Sequence, residues 1–505
     1  MNFGHHFLYK HARLLFLTFS ITLLNLSANH DQNHEHTVKK SDTLQKSSIG
    51  MTVSVRQGID LCNDEKAIVK LRLHRAQEKL ESELNQSIHE NEVPTIGIVG
   101  SGGGYRSMIS MLGFLIGLNK YNFLDASTYM ASVSGSGWCM GSWLAQPYSL
   151  SELKEFLRNQ VTTDLALQDF GFLALQDFSW TDIASQLYNK INHGQPINQS
   201  DLWGCILSEV LLKGLAGGGH QVLFSSLKSK IQTGMYPLPL FTAVLDETTP
   251  YEWFEFTPFE IGSEKSACWI PSYAFGKKFD RGLSSDTGPE QTLGYILGLS
   301  SSAFAANFKD LVSLLFDNIN LLLSKKCVNF QGLFSDVGET QVPPPTVFNF
   351  MKNIAGTLHA NKEYLSFFDP GVDINLGFAP LLRRNVNVYL VCDASDTAVS
   401  NQKNTLRQAQ RYANDNNFKF PRIDYNTVGT DKVSLFYDEE DPEVPVIIYF
   451  PNKVQFSTFK FCYTNDEFNQ LYRSSKDAVE SSYDTICRGI TIAINNLKKI
   501  NQQTE

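Results

Sequence analysis

A serine hydroxyl is a weak nucleophile until a base takes its proton and donors hold the oxyanion that its attack creates. Residues 132–136 read Ser-Val-Ser-Gly-Ser, between an extended apolar stretch over 128–133 and a helical pattern running through Trp143. Ser134 therefore stands at a strand-to-helix elbow, which exposes its oxygen and puts the N–H groups of a helix N-terminus under the developing charge. The usual elbow is Gly-x-Ser-x-Gly. Both outer glycines are serines here, so the segment alone reads equally as small residues at a tight turn. Upstream, residues 100–104 read Gly-Ser-Gly-Gly-Gly. Amides of consecutive glycines can converge on one anion because no Cβ stands in the way. A dinucleotide fingerprint would need glycine where Tyr105 stands, and a P-loop would need Gly-Lys-Ser/Thr, which Arg106 does not supply. An oxyanion hole fits the turn better.

The base is less obvious. In α/β-hydrolases the chain order is serine, acid, histidine, and the histidines downstream of the elbow are His193, His220 and His359. None has a motif-like setting. The alternative is a carboxylate, and Phe368-Asp369-Pro370-Gly371 is a strand-end turn that could present one. At the level of single residues both bases stay open. Asp393 and Asp396 read as structural.

The elements that must position these residues follow from apolar runs. Strands are expected over 93–99, 128–133, 237–245, 386–392 and 444–450, and Met108, Met111, Leu112, Leu115 and Leu118 recur at helical spacing. Two strand–turn–helix units in succession predict an α/β sheet with its chemistry at the strand C-termini. Residues 63–88 are charged and free of proline, and predict a surface helix. With 42% apolar and 19% charged residues the chain is globular, and a net charge of −9 speaks against nucleic acid as a partner. Its 8 cysteines show no zinc-ligand spacing, so no metal or cofactor is expected; disulfides are open. Lys10 and Arg13 precede an apolar run of about a dozen residues and a small-residue exit, the pattern of a signal peptide over 1–28. The expected organisation is thus an exported chain, secreted or periplasmic. It has a polar linker over 29–62, a catalytic domain over 63–500 and an irregular insertion over 265–365 that carries an apolar helix at 311–323.

Together the motifs resemble the catalytic domain of the cytosolic (group IV) phospholipases A2 and the fungal phospholipases B, or lysophospholipases. Residues 100–106 resemble the family's glycine turn with its arginine, and residues 127–138 (Ser-Thr-Tyr-Met-Ala-Ser-Val-Ser-Gly-Ser-Gly-Trp) its nucleophile segment. Residues 368–375 (Phe-Asp-Pro-Gly-Val-Asp-Ile-Asn) resemble its aspartate segment. The resemblance implies a three-layer patatin-like α/β fold with a central mixed sheet, and the insertion falls where the family carries a lid. It also implies Ser134 as nucleophile, Asp369 rather than the nearby Asp373 as base, Gly103 and Gly104 as oxyanion hole, and Arg106 on the lipid phosphate. The implied activity is phospholipase A2 or lysophospholipase hydrolysis of a phospholipid or lysophospholipid through an acyl-enzyme, at a membrane or micelle surface. Two other readings stand beside it: an esterase with a histidine base, and a catalytically idle lipid-binding protein.

Overall fold

The computed structural model describes residues 52–162, 180–215, 217–245, 250–303, 344–396, 399–460 and 462–504. Its strands are β1 (Val53–Ser54), β2 (Arg56–Gln57), β3 (Ile96–Gly100), β4 (Tyr129–Ala131), β5 (Leu238–Leu245), β6 (Glu252–Phe256), β7 (Glu260–Ser263), β8 (Cys268–Pro271), β9 (Leu283–Ser284), β10 (Thr346–Phe348), β11 (Tyr364–Phe368), β12 (Val388–Asp393), β13 (Ser434–Phe436) and β14 (Val446–Pro451). The five expected strands are β3, β4, β5, β12 and β14. Every residue in them is buried, as continuous apolar runs require when helices cover both faces of a parallel sheet.

These five lie side by side in the order β14-β12-β3-β4-β5, all parallel. Beyond β5 the sheet turns antiparallel through β6, β7, β8 and β2. β13 closes the other edge, antiparallel to β14. The result is a mixed sheet of twelve strands among the described residues. Helices include α1 (Asn63–Leu84), α2 (Gly104–Lys120), α3 (Gly135–Ala145), α4 (Gln199–Leu211), α5 (Leu293–Ser300), α6 (Val399–Asp415), α7 (Asn465–Ser481) and α8 (Tyr483–Thr504); two more span Leu150–Thr162 and Trp180–Asn192, and the remaining helical segments are single turns.

Strand alternation shows three layers. A Cβ at Gly100 would meet Ser136 of α3, whereas one at Gly97 would meet Leu381 in the turn Ala379–Leu382. Positions 97 and 100 face opposite sides of β3, so the sheet is covered on both. Phe114 of α2 packs edge-on against Phe450 of β14, and α7 lies so close to α2 that a Cβ at Gly113 would fall 2.2 Å from the Tyr472 carbonyl oxygen.

Three sequence expectations change. The charged helix expected over 63–88 runs from Asn63 to Leu84 and lies at the surface, but its inner stripe of Glu65, Ile68, Arg72, Ala76 and Leu80 is buried. Buried Arg72 donates to the carbonyls of Leu124, Asp125, Ser127 and Gly234, and Glu65 pairs with buried Arg384 at 2.7 Å. A polar composition concealed this face because arginine serves there as a donor to backbone oxygens, not as a solvated charge. Residues 53–57 fall in the expected linker but form β1 and β2, which pair with β9 and β8. Part of the expected insertion also belongs to the fold: β8, β9, β10 and buried α5 come from residues 265–365, and β11 begins at its end. The apolar segment 311–323 and the leader pattern over 1–28 lie outside the described residues.

Candidate active site

One long strand explains how two residues so far apart in sequence meet. β6 occupies one edge of β5 along Phe241 to Leu245. The other edge is shared. β4 runs parallel to its first part, with Ala131 opposite Leu240, and β11 runs antiparallel to its last part, with Phe368 opposite Val244. The two strands therefore approach head to head, separated by roughly 13 Å of β5 at about 3.3 Å per residue. Residues 132–134 leave β4 into this gap, and Asp369 leaves β11 into it from the opposite side.

Ser134 caps the N-terminus of α3 with φ 50° and ψ −116°, a backbone conformation that strains any residue with a Cβ. The elbow is locked by Ser136, whose hydroxyl accepts from the Val133 amide at 3.1 Å and donates to the Val133 carbonyl at 2.9 Å. A serine at the position of the usual outer glycine thus holds the turn. The glycine that cannot be replaced is Gly135, where a Cβ would fall 2.1 Å from the Gly104 carbonyl oxygen. The elbow and the glycine turn are in contact there.

Asp369 caps the short turn Pro370–Val372 and accepts from the Gly371 amide at 2.9 Å, while its own amide donates to Ser302 Oγ at 3.0 Å. It is 4% exposed. Burial raises its carboxyl from 3.8 to about 6, against smaller opposing effects of the Gly371 amide and the Ser134 hydroxyl. The hydroxyl thus lies close enough to stabilise the carboxylate, yet it completes no hydrogen bond of good geometry. Such loose contacts are common in catalytic pairs before substrate arrives. A consequence for pH follows. If the ionised carboxylate is needed, kcat/KM should fall about tenfold per pH unit below about 6 and level off above it. Steady-state assays from pH 4.5 to 8.5 check this, and a limb centred below pH 4.5 would contradict it.

The glycine turn connects β3 to α2. Gly103, with φ 137°, and Gly104, with φ 59°, occupy backbone regions that favour glycine. Their amides open α2, whose first N–H groups have no acceptor within the helix. Arg106 is 4% exposed. Its Nε donates to the Ala394 carbonyl at 2.7 Å and its Nη1 to the Phe456 carbonyl at 2.6 Å. Nη2 sits against Gly103, 2.8 Å from where a Cβ would be. Burial lowers the Arg106 pKa. Much of this guanidinium is structural, and Nη2 is the part turned toward the glycine turn.

The alternative bases are occupied elsewhere. His359 pairs with Glu252 at 2.8 Å, His220 lies 3.2 Å from Glu209, and His193 lies 2.8 Å from the Asn189 carbonyl. Asp373 accepts from the Trp253 indole at 2.8 Å. Asp393 accepts from the Tyr449 hydroxyl at 2.6 Å and from the Ser395 amide at 2.9 Å. Among the described residues, one group of side chains could hold a metal: Cys62, Glu65 and Glu260, with ligand atoms within 4.8 Å of one another. Glu65 and Glu260 are each 2.7 Å from an arginine, Arg384 and Arg56, so the charge that would draw a cation is already neutralised.

Comparison with known proteins gives this arrangement a context. Residues 96–504 match the model of the lysophospholipase catalytic domain. Mouse cytosolic phospholipase A2 epsilon is 27% identical over 477 residues, covering 81% of this chain and 53% of its own length. Human GIVD cytosolic phospholipase A2 superposes with a TM-score of 0.73 at 23% identity, covering 88% of this chain and 66% of that one. The same human enzyme in complex with methyl γ-linolenyl fluorophosphonate gives a TM-score of 0.68. These structures share the patatin-like fold. The chain spans about half the length of the curated relatives it matches.

The export expected from the leader pattern is overturned by these matches, because the relatives are cytosolic phospholipases A2 and point to a cytosolic chain, not a secreted or periplasmic one. An apolar run of about a dozen residues behind two cations is a criterion of composition alone. Similarity to cytosolic phospholipases A2 along most of the chain outweighs it. The elbow, the glycine turn and the aspartate segment all lie inside the matched region, on a fold shared with a solved phospholipase, and the chain belongs to the lysophospholipase catalytic domain family.

Proposed function

We propose that this protein hydrolyses fatty-acyl esters of glycerophospholipids or lysophospholipids through a Ser134–Asp369 dyad. The observation that carries this is the approach of a strained elbow serine and a buried carboxylate of raised pKa across one edge of β5. Asp369 takes the Ser134 proton as Oγ bonds to the ester carbonyl carbon. The Gly103 and Gly104 amides receive the charge that develops on the carbonyl oxygen. Collapse breaks the ester C–O bond, and Asp369 returns its proton to the departing glyceryl oxygen. Water, deprotonated by the same carboxylate, then bonds to the acyl carbon; the C–Oγ bond breaks, Asp369 returns the proton to Ser134 Oγ, and the fatty acid leaves. A carboxyl near 6 is ionised at neutral pH yet basic enough to accept a proton in both half-reactions.

A lipid surface fits the rim. Val372, three residues beyond Asp369, is 51% exposed, and Phe459, three beyond the carbonyl that Arg106 binds, is 52% exposed. These apolar side chains suit peripheral contact with a membrane or micelle. No described helix is long and apolar enough to cross one. Reaction of the purified protein with a defined phospholipid and with its lyso form, with product analysis, tests the reading. Release of fatty acid from neither would end it.

Arg106 supports a finer expectation. We assign its Nη2 to the lipid phosphate, on the strength of guanidinium–phosphate complementarity. Arg106→Lys should lower kcat/KM for a phospholipid on the order of tenfold more than for a neutral ester. Arg106→Ala should in addition destabilise the fold by about 1–3 kcal/mol per abandoned carbonyl. Equal losses on the two substrates would remove the phosphate role.

A further inference from the structure

The geometry points to Asn375 as the residue that aims the Gly103 amide, an inference that rests on the dyad reading above. Asn375 lies at the end of the segment that begins with Asp369, yet its contacts are with the glycine turn. Its Oδ1 accepts from the Gly102 amide at 3.1 Å, its backbone carbonyl accepts from the same amide at 3.3 Å, and its Nδ2 donates to the Gly102 carbonyl at 3.4 Å. Nδ2 also donates to Ser395 Oγ at 2.9 Å, which fixes the rotation of the side-chain amide. Both polar groups of Gly102 are therefore held by one side chain.

The peptide that matters is the one joining Gly102 to Gly103. It contains the Gly102 carbonyl and the Gly103 N–H, and in a trans peptide these two point in opposite directions. Drawing the carbonyl oxygen toward Asn375 turns the Gly103 N–H away from Asn375. The Gly103 backbone, at φ 137°, has the freedom to adopt other orientations because no Cβ restricts it. An unanchored glycine peptide could rotate, presenting a carbonyl oxygen where a donor is required. The clamp removes that freedom. It also stands beside the nucleophile: a Cβ on Gly102 would lie 2.4 Å from Asn375 Oδ1 and 3.3 Å from Ser134 Cβ. A single side chain thus ties the aspartate segment to the oxyanion turn, so that base and donors are set in one frame.

Asn375 is a positioning residue in this account; it touches no reacting atom. Asn375→Ala should lower kcat on a neutral ester by ~10²–10³, the usual loss for one oxyanion donor, with KM changed less than threefold. The rate of Ser134 labelling by an alkyl fluorophosphonate should fall by a similar factor, because that reaction also builds charge on an oxygen in the hole. The acid limb of the pH profile should stay where Asp369 puts it. If the alanine variant fails to fold, Asn375→Asp keeps the acceptor for the Gly102 amide, loses the donor to its carbonyl, and should show the same pattern. Wild-type labelling rates in a folded variant would overturn the role of Asn375 and leave the dyad intact. A wild-type protein that the probe does not label at Ser134 would overturn both.

Discussion

Asp369→Asn should yield a protein that is more stable than wild type and nearly inert. The carboxylate is held in a site that disfavours its charge, with the pKa raised from 3.8 to about 6 by burial. Linkage fixes the sign. A carboxyl whose folded pKa exceeds its unfolded value binds protons more tightly when folded. Its contribution is therefore fully favourable below pH 4 and is lost as pH rises through about 6. Above that pH the wild-type fold carries about 3 kcal/mol of uncompensated charge burial, at 1.36 kcal/mol per pKa unit. Asparagine is isosteric, keeps an oxygen for the Gly371 amide and never ionises, so it escapes this penalty. Denaturant unfolding should show the variant more stable by about 1–3 kcal/mol at pH 8 and indistinguishable at pH 4. Turnover should drop by on the order of 10⁴, the upper range for loss of a general base. A variant less stable than wild type at pH 8 would mean that the carboxylate is stabilised by a partner and is not a strained base. Full turnover in a folded variant would end the dyad.

The sequence made the parallel half of this architecture legible because its strands are continuous apolar runs. β3, β4, β5, β12 and β14 are buried on both faces, so apolar residues dominate them, with Thr242 inside β5 and Asp393 at the end of β12 as polar exceptions. The antiparallel half was harder. β6 and β7 carry Glu252, Glu255 and Glu260 at buried positions, and a pattern reading takes such residues as exposed. Each is instead paired, Glu252 with His359, Glu255 with Arg383 and Glu260 with Arg56. Partners distant in sequence are invisible to local pattern. The candidate site divides in the same way. Ser134, Asp369 and the glycine turn carry local signatures of an elbow, a cap and a loop free of Cβ atoms. Asn375 carries none. Asparagine after an Asp-Pro-Gly turn has no distinguishing neighbourhood, and its meaning comes from a contact with Gly102 that only the fold creates. Ser136 is intermediate: its departure from the usual glycine was visible, but not that its hydroxyl staples Val133.

Substitutions at Ser134 should separate chemistry from backbone strain. The residue sits at φ 50° and ψ −116°, where a side chain costs about 1–3 kcal/mol. That conformation is fixed from both sides. Ser136 holds Val133, and Gly135 is wedged against the Gly104 carbonyl, so the elbow cannot relax without parting the glycine turn from α3. Ser134→Ala removes the nucleophile and retains the Cβ, hence the strain. Ser134→Gly removes both. Each should lower hydrolysis by on the order of 10⁵–10⁶, as loss of a nucleophile does in a serine hydrolase, and neither should react with a fluorophosphonate. Their stabilities should differ. Glycine gives back about 0.5–1 kcal/mol through the greater freedom of its unfolded chain, so a net advantage of about 1–2 kcal/mol over alanine should remain in denaturant unfolding. If alanine proved the more stable of the two, the elbow would not be strained. The positive φ at Ser134 would then need another cause, such as the pull of Asp369 on its hydroxyl, and Ser134→Ala in an Asp369→Asn background would reveal it as a loss of additivity between the two substitutions.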